Sequence, residues 1–176
     1  MTAMLSRILT PRGQRLAVVA GAGLVALAAP VLLDPAPRLV WNATASAPIG
    51  LYRIAPDAAL RLGDQVLAWP PREARALAAR RGYLPFNVPM IKTVAAVDGA
   101  LVCGAGARIT IDGRAAVLRR ATDRQGRTLP WWSGCERLSR HRILLINPAP
   151  DSFDGRYFGP ADTASVIGRA TPLWLP

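Results

Sequence analysis

The sequence predicts a mainly β domain with one or two short helices, preceded by one N-terminal transmembrane helix. Three observations lead there. Pro 16 and Gly 15 in 176 residues mean frequent turns, which suit short strands better than a helix bundle. Beyond residue 46 the apolar residues come in short, partly β-branched runs bounded by Pro, Gly and Asp, as strands do. Leu16 to Leu33 (LAVVAGAGLVALAAPVLL) carries no charge and is near the minimum length for crossing a bilayer as a helix.

Residues 1–15 form a basic N-terminus with Arg7, Arg12 and Arg15. The positive-inside rule keeps it cytoplasmic and exports everything after the span at 16–33. The expected location is the cytoplasmic (inner) membrane, single-pass, with a periplasmic domain. Pro30 lies near the outer end, where a helix can stop cheaply. Ala26-Leu27-Ala28 also resembles a small-x-small cleavage site. The run is longer than a usual signal core, which favours an anchor. Its apolar character on all sides argues against a buried core helix. Residues 34–45 read as a Pro-containing link, and 46–176 as the folded domain.

In that domain, Leu51–Ile54 and Gln65–Trp69 read as strands flanking a turn region at 56–64. Residues 70–83 (PPREARALAARRGY) form the clearest helix outside the membrane. Pro opens it, Glu73 sits in its first turn, Arg80 and Arg81 in its last, and Gly82 stops it. Val88–Val97 reads as a central strand. Leu101-Val102 and Arg108–Ile111 follow, with a hairpin turn at Asp112-Gly113. Leu118–Ser133 reads as loop-rich, Ile143–Asn147 as a strand, and Val166–Leu173 as a weak closing strand.

The chain is 51% hydrophobic and 19% charged, which excludes disorder. Its formal charge of +11 raises nucleic acid as a partner. The arginines are scattered, however, and no basic run is interleaved with aromatics as in a single-strand groove. The expectation is no nucleic acid, but attraction to acidic lipid headgroups. Two cysteines and the lone His141 give no metal ligand set, and no Gly-rich phosphate loop follows a strand, so no cofactor is expected. Cys103 and Cys135 would pair in an oxidising compartment and stay reduced in a cytosolic one.

Of the 22 Lys and Arg residues, Lys92 is the one lysine. Arg stays protonated, whereas a buried Lys can become a neutral base. Lys92 lies in Met90-Ile91-Lys92-Thr93-Val94-Ala95-Ala96-Val97, a strand in which a charged amine is expensive. A neutral amine beside a serine hydroxyl can take its proton during attack on a carbonyl. The ordinary alternative is a Lys on the solvent face of the strand. Ser46-Ala47-Pro48-Ile49-Gly50-Leu51-Tyr52 offers the serine. Pro48 makes Ala47 extended and Gly50 allows a tight bend. Fully extended, the chain from Leu33 to Ser46 reaches roughly 40 Å. Spacing alone favours a turn serine there over a nucleophile. The stretch from Asn147 to Gly159 is the third feature. Its Asp154 and Arg156 could pair, and on a solvated loop such a pair is worth little. A Ser-His-Asp triad would have to use His141, in a charged stretch ahead of a strand.

Together these features resemble the type I signal peptidase superfamily, and most of all its conjugative-transfer, TraF-type branch. The Ser-x-Pro-x-Gly-Leu-Tyr box matches Ser46 to Tyr52. The hydrophobic-Lys-x-Val-Ala-Ala-hydrophobic box matches Ile91 to Val97. The Asp-Ser-x-Asp-Gly-Arg-Tyr-Phe-Gly box matches Asp151 to Gly159, and Ile167-Gly168-Arg169-Ala170 continues it. The resemblance implies a signal-peptidase-like antiparallel β domain and a serine endopeptidase. Ser46 would be the nucleophile, Lys92 the general base, and Ser152 the residue that orients the amine. Asp154 and Arg156 would be a pair holding the site, and the Ser46 N–H an oxyanion donor. Cys103 and Cys135 fall where a disulfide-bearing insertion is expected. The implied partners are a precursor protein, above all a pilin of a conjugative or type IV secretion system, the cytoplasmic membrane, and conjugation-apparatus proteins. Ala47 departs from the Met usual after the nucleophile, and the chain lacks a large second β domain. Both favour a dedicated substrate over bulk secretion. The competing expectation is a non-catalytic, membrane-tethered assembly protein of a conjugation apparatus.

Overall fold

Apolar side chains on both faces make Met90–Ala96 a strand for the middle of a sheet, and that is where it lies. Its residues Ile91, Lys92, Val94 and Ala96 are all buried, so simple alternation is missing. The computed structural model describes residues 10–33, 36–56 and 58–176, with the backbone alone at 30–33. It falls into two units, Met1–Ala36 and Pro37–Pro176.

Among the described residues the first unit holds one helix, α1, Pro11–Leu33. Among the described residues no helix is long and apolar enough to cross a membrane. The expected span at 16–33 ends in residues whose side chains lie outside the described ones, and so does the basic N-terminus as far as residue 9.

Among the described residues the second unit holds two antiparallel sheets, two short α-helices and a 3-10 turn at Thr163–Ser165. Its strands are β1 (Leu39–Asn42), β2 (Gly50–Ala55), β3 (Gln65–Ala68), β4 (Met90–Ala96), β5 (Leu101–Ala105), β6 (Arg108–Ile111), β7 (Arg114–Leu118), β8 (Gly134–Arg137), β9 (Arg142–Leu145), β10 (Ala161–Asp162) and β11 (Val166–Trp174). The larger sheet has the order β1-β2-β11-β3-β4-β9-β10, and the smaller β7-β6-β5-β8. The smaller sheet is an insertion between β4 and β9, which pair directly, Val94 opposite Leu145. The Cys103–Cys135 disulfide joins β5 to β8 at directly opposed positions. Ala96 and Leu144 of the larger sheet, with Ile146 just after β9, share a core with Val102, Ile109 and Leu138 of the insertion.

Helix α2 (Arg72–Arg80) is shorter than the 70–83 read from sequence. Pro71 caps it, and Gly82, at φ 70°, turns the chain away. It buries Ala74 and Ala78, four apart on one face. Asp112 and Gly113 both have positive φ, 50° and 77°, as a tight β6–β7 hairpin requires.

Two expectations are corrected. The link at 34–45 contains β1, because Leu39–Asn42 finds a full partner in β2. The closing strand at 166–173 is not weak. β11 runs nine residues and sits between β2 and β3, pairing with both. Gly50 permits the crossing, since a Cβ there would lie 2.2 Å from the Trp174 carbonyl oxygen. Gly155 serves the same purpose at helix α3 (Gly155–Phe158), where a Cβ would lie 2.8 Å from Leu145 O. Gly155→Ala should therefore lower stability by about 1–3 kcal/mol, read as a lower urea midpoint at unchanged slope.

Candidate active site

The corner carrying Ser46 is a short loop between β1 and β2, held from beneath by Asn42. The Asn42 amide, buried at the end of β1, donates to the carbonyls of Thr44 (3.0 Å), Ala47 (3.1 Å) and Pro48 (2.9 Å). Its Oδ1 accepts from the Thr44 N–H (3.2 Å) and hydroxyl (2.9 Å). Tyr52 of the next strand donates its phenol to Pro48 O at 2.7 Å. One asparagine and one tyrosine thus satisfy a loop with no ladder of its own. Ser46 stands on it half-buried, its Oγ 3.3 Å from Thr44 Oγ1.

Lys92 comes from the middle of β4 and is 4% exposed. Its Nζ donates to Ser152 Oγ at 2.8 Å and to Ser46 Oγ at 3.2 Å. Asn147 fixes the backbone on both sides of it. The Asn147 amide donates to Ile91 O (3.0 Å), and its Oδ1 accepts from the Thr93 N–H (2.9 Å) and hydroxyl (3.1 Å).

The Asp154–Arg156 pair is fully buried, at 2.8 Å between Oδ1 and Nε. It is not the solvated surface pair that spacing alone allowed. Asp154 Oδ2 accepts from the Asn147 N–H (3.1 Å), and Arg156 donates to the carbonyls of Asn147 (2.5 Å) and Pro150 (3.2 Å). The pair therefore ties down the turn that presents Ser152.

Burial pushes the Lys92 amine down from an ordinary 10.5 to about 8. The negative charge of Asp154 works against that fall and the positive charge of Arg156 assists it. With no carboxylate bonded to the amine, desolvation wins. Near neutral pH a proton leaves Lys92 far more readily than an exposed lysine.

The dyad opens into a cleft of about 550 Å³. Ser46, Lys92 and Ser152 line it, together with Tyr83, Leu129 and Phe153 among others. The segment after β7 forms one wall and is held by Arg119, whose guanidinium donates to Gly106 O (3.0 Å) and Trp132 O (2.7 Å). His141 is exposed and does not line the cleft, so no triad is assembled. Among the described residues no cluster of three His, Cys, Asp or Glu could hold a metal. The structure thus brings Ser46, Lys92, Ser152, Asp154 and Arg156 together. Asn42, Thr44, Asn147 and the Arg119-held wall escaped the sequence reading, since Asn and Thr beside turns carry no distinctive spacing.

A serine hydroxyl and a desolvated lysine amine thus stand within hydrogen-bond reach of each other beside a cleft in an antiparallel β domain. Residues 13–175 match the family model for signal peptidase, peptidase S26, and the chain belongs to that family, in its TraF-type branch. A probable conjugal transfer protein TraF from Sinorhizobium fredii is 37% identical over 142 residues, 73% of each chain. The conjugal transfer protein TraF of Agrobacterium tumefaciens is 36% identical, covering 76% of this chain and 80% of that one. A plasmid transfer protein TraF from Escherichia coli is 32% identical over 75% and 80%. A signal peptidase I crystal structure from Enterococcus faecalis aligns at 16% identity with a TM-score of 0.37, over 65% of this chain and 100% of that one.

Two stability predictions follow from the buried charges. Folding depresses the Lys92 pKa, so below about pH 8 the folded state carries the cost of a charged, desolvated amine, about 3 kcal/mol. That cost is relieved as pH rises from about 8 to 10.5. Lys92→Met should raise stability by about 1–3 kcal/mol at pH 7, in urea unfolding, and the gain should shrink toward pH 10. Asp154→Asn leaves Arg156 buried and uncompensated, and should cost about 3–5 kcal/mol in the same assay.

Proposed function

We propose that this protein is a membrane-anchored serine endopeptidase that processes an exported precursor, a pilin of a conjugative or type IV secretion system, on the outer side of the cytoplasmic membrane. The observation that carries the reading is the buried Lys92 amine bonded to both Ser46 Oγ and Ser152 Oγ.

Neutral Lys92 takes the Ser46 hydroxyl proton as Oγ attacks the scissile carbonyl carbon. The Ser46 backbone N–H and the Thr44 hydroxyl, which turns from Asn42 Oδ1, receive the oxyanion. On collapse the C–N bond breaks, and the Lys92 ammonium returns its proton to the leaving amine. A water then attacks the Ser46 ester and gives its proton to Lys92. As the ester C–O bond breaks, the Lys92 ammonium returns that proton to Ser46 Oγ, the acid is released, and both residues are restored. Ser152 holds the amine in line at each step.

The apolar run at 16–33 would be the anchor. Leu39, Trp41, Ile49, Trp174 and Leu175 are exposed near the Ser46 loop, and Trp41 meets Trp174 at 5.7 Å. Exposed tryptophans and aliphatics next to the site suit a membrane interface. The disulfide suits an oxidising compartment. The names of the TraF relatives support a conjugation substrate, and family membership supports peptide cleavage.

With full-length protein in vesicles and a conjugative pilin precursor, Ser46→Ala and Lys92→Arg should each abolish cleavage while the fold persists by circular dichroism. Processing by Lys92→Arg would rule out the mechanism. The rate should rise with pH as one proton leaves a group near 8, because the neutral amine is the active form. Thr44→Val should lower kcat by about 10–1000-fold, with KM little changed.

A further inference from the structure

The cleft lining is rich in arginine. Arg81, Arg120, Arg124 and Arg127 line it, against only two carboxylates, Asp123 and Asp151. Each carboxylate lies between two guanidiniums. Asp123 takes Arg127 Nε at 2.7 Å and Arg81 Nη1 at 3.7 Å, with the Tyr83 phenol as a third donor. Asp151 takes Arg120 Nε at 3.0 Å and Arg124 Nη2 at 2.6 Å. The wall therefore holds four positive charges and two negative.

The two halves differ. Arg81 and Arg127 are largely committed, to Asp123 and to the carbonyls of Thr128 and Arg81. Arg120 and Arg124 are 58% and 83% exposed. Asp151 is their one side-chain acceptor among the described residues, so several of their N–H groups have no protein partner. A network built only to brace the wall would pair its charges more evenly. Two forked donors beside one carboxylate leave room for a second. Asp151 also directly precedes Ser152, which bonds the Lys92 amine, so a group bound here lies near the reacting bond.

We infer that Arg120 and Arg124 form a subsite for a carboxylate of the substrate polypeptide, either an acidic side chain near the cut bond or a free C-terminus. This rests on the peptidase reading for the term substrate, but binding tests it separately. The full-length Ser46→Ala protein in detergent would be titrated with labelled small-residue peptides around a central Ala-Ala. Glu or Gln would be walked through the flanking positions, each peptide ending as the acid or the amide.

One acidic peptide should bind about three- to tenfold tighter than its neutral twin at low salt. A Glu/Gln difference identifies a side chain, and an acid/amide difference a chain terminus. The ratio should fall toward one in Arg120→Gln/Arg124→Gln and with added salt, but persist in Arg114→Gln on the exposed β7. No preference at any position overturns the subsite. So does a ratio unmoved by the double variant, or an effect of that variant confined to anionic vesicle binding, which would assign the arginines to lipid headgroups. Cleavage by the unmodified enzyme without acidic preference would overturn the subsite and leave the peptidase. Acidic preference in binding with no cleavage would do the reverse.

Discussion

The amine of Lys92 is almost wholly buried, and most of the site exists to make that tolerable. A buried ammonium without a counter-ion is among the costliest groups a fold can carry. Here its neighbours are two hydroxyls rather than a carboxylate. Hydroxyls accept from the amine without adding charge, so they hold its direction while desolvation weakens its grip on the proton. A carboxylate in the place of Ser152 would have given a stable ion pair and a poor base.

The carboxylate that acts on Lys92 is the reason Arg156 matters. Asp154 pulls the Lys92 pKa upward and Arg156 pushes it down. Locked together at 2.8 Å, they act on the amine in opposite directions while bracing the turn that carries Ser152. The same buried charges thus serve architecture and leave the electrostatics of the dyad to burial. Asn147 links the two, gripping the backbone on both sides of Lys92 while its own backbone meets Asp154 and Arg156. Asn42 plays the matching role beneath Ser46.

Some of this was legible in the sequence. A single lysine inside an apolar strand announces itself, because few other roles justify its burial. Tight turns such as Asp112-Gly113 and the ends of α2 are written in Gly and Pro. β1 was hidden in a Pro-containing link, since an edge strand needs only its partner's ladder. β11 was legible as a strand, but Gly168, Arg169 and Pro172, residues a central strand rarely carries, hid its place in the middle of the sheet. Its length comes from pairing with β2 and β3, which no local pattern records. The arginine wall was invisible for a similar reason. Residues 119–133 have no periodicity, and long-range bonds from Arg119 to Gly106 and Trp132 shape them.

The lone lysine also makes the central claim open to direct measurement. Lysine labelled with carbon-13 at Cε gives one side-chain signal in this chain, since Lys92 has no competitor. Its NMR titration in the full-length protein should report a midpoint near 8, moving upward toward the ordinary value on unfolding. A midpoint at or above 10.5 in the folded protein would mean an exposed or ion-paired ammonium, and would contradict the account of Lys92 as a base made by burial.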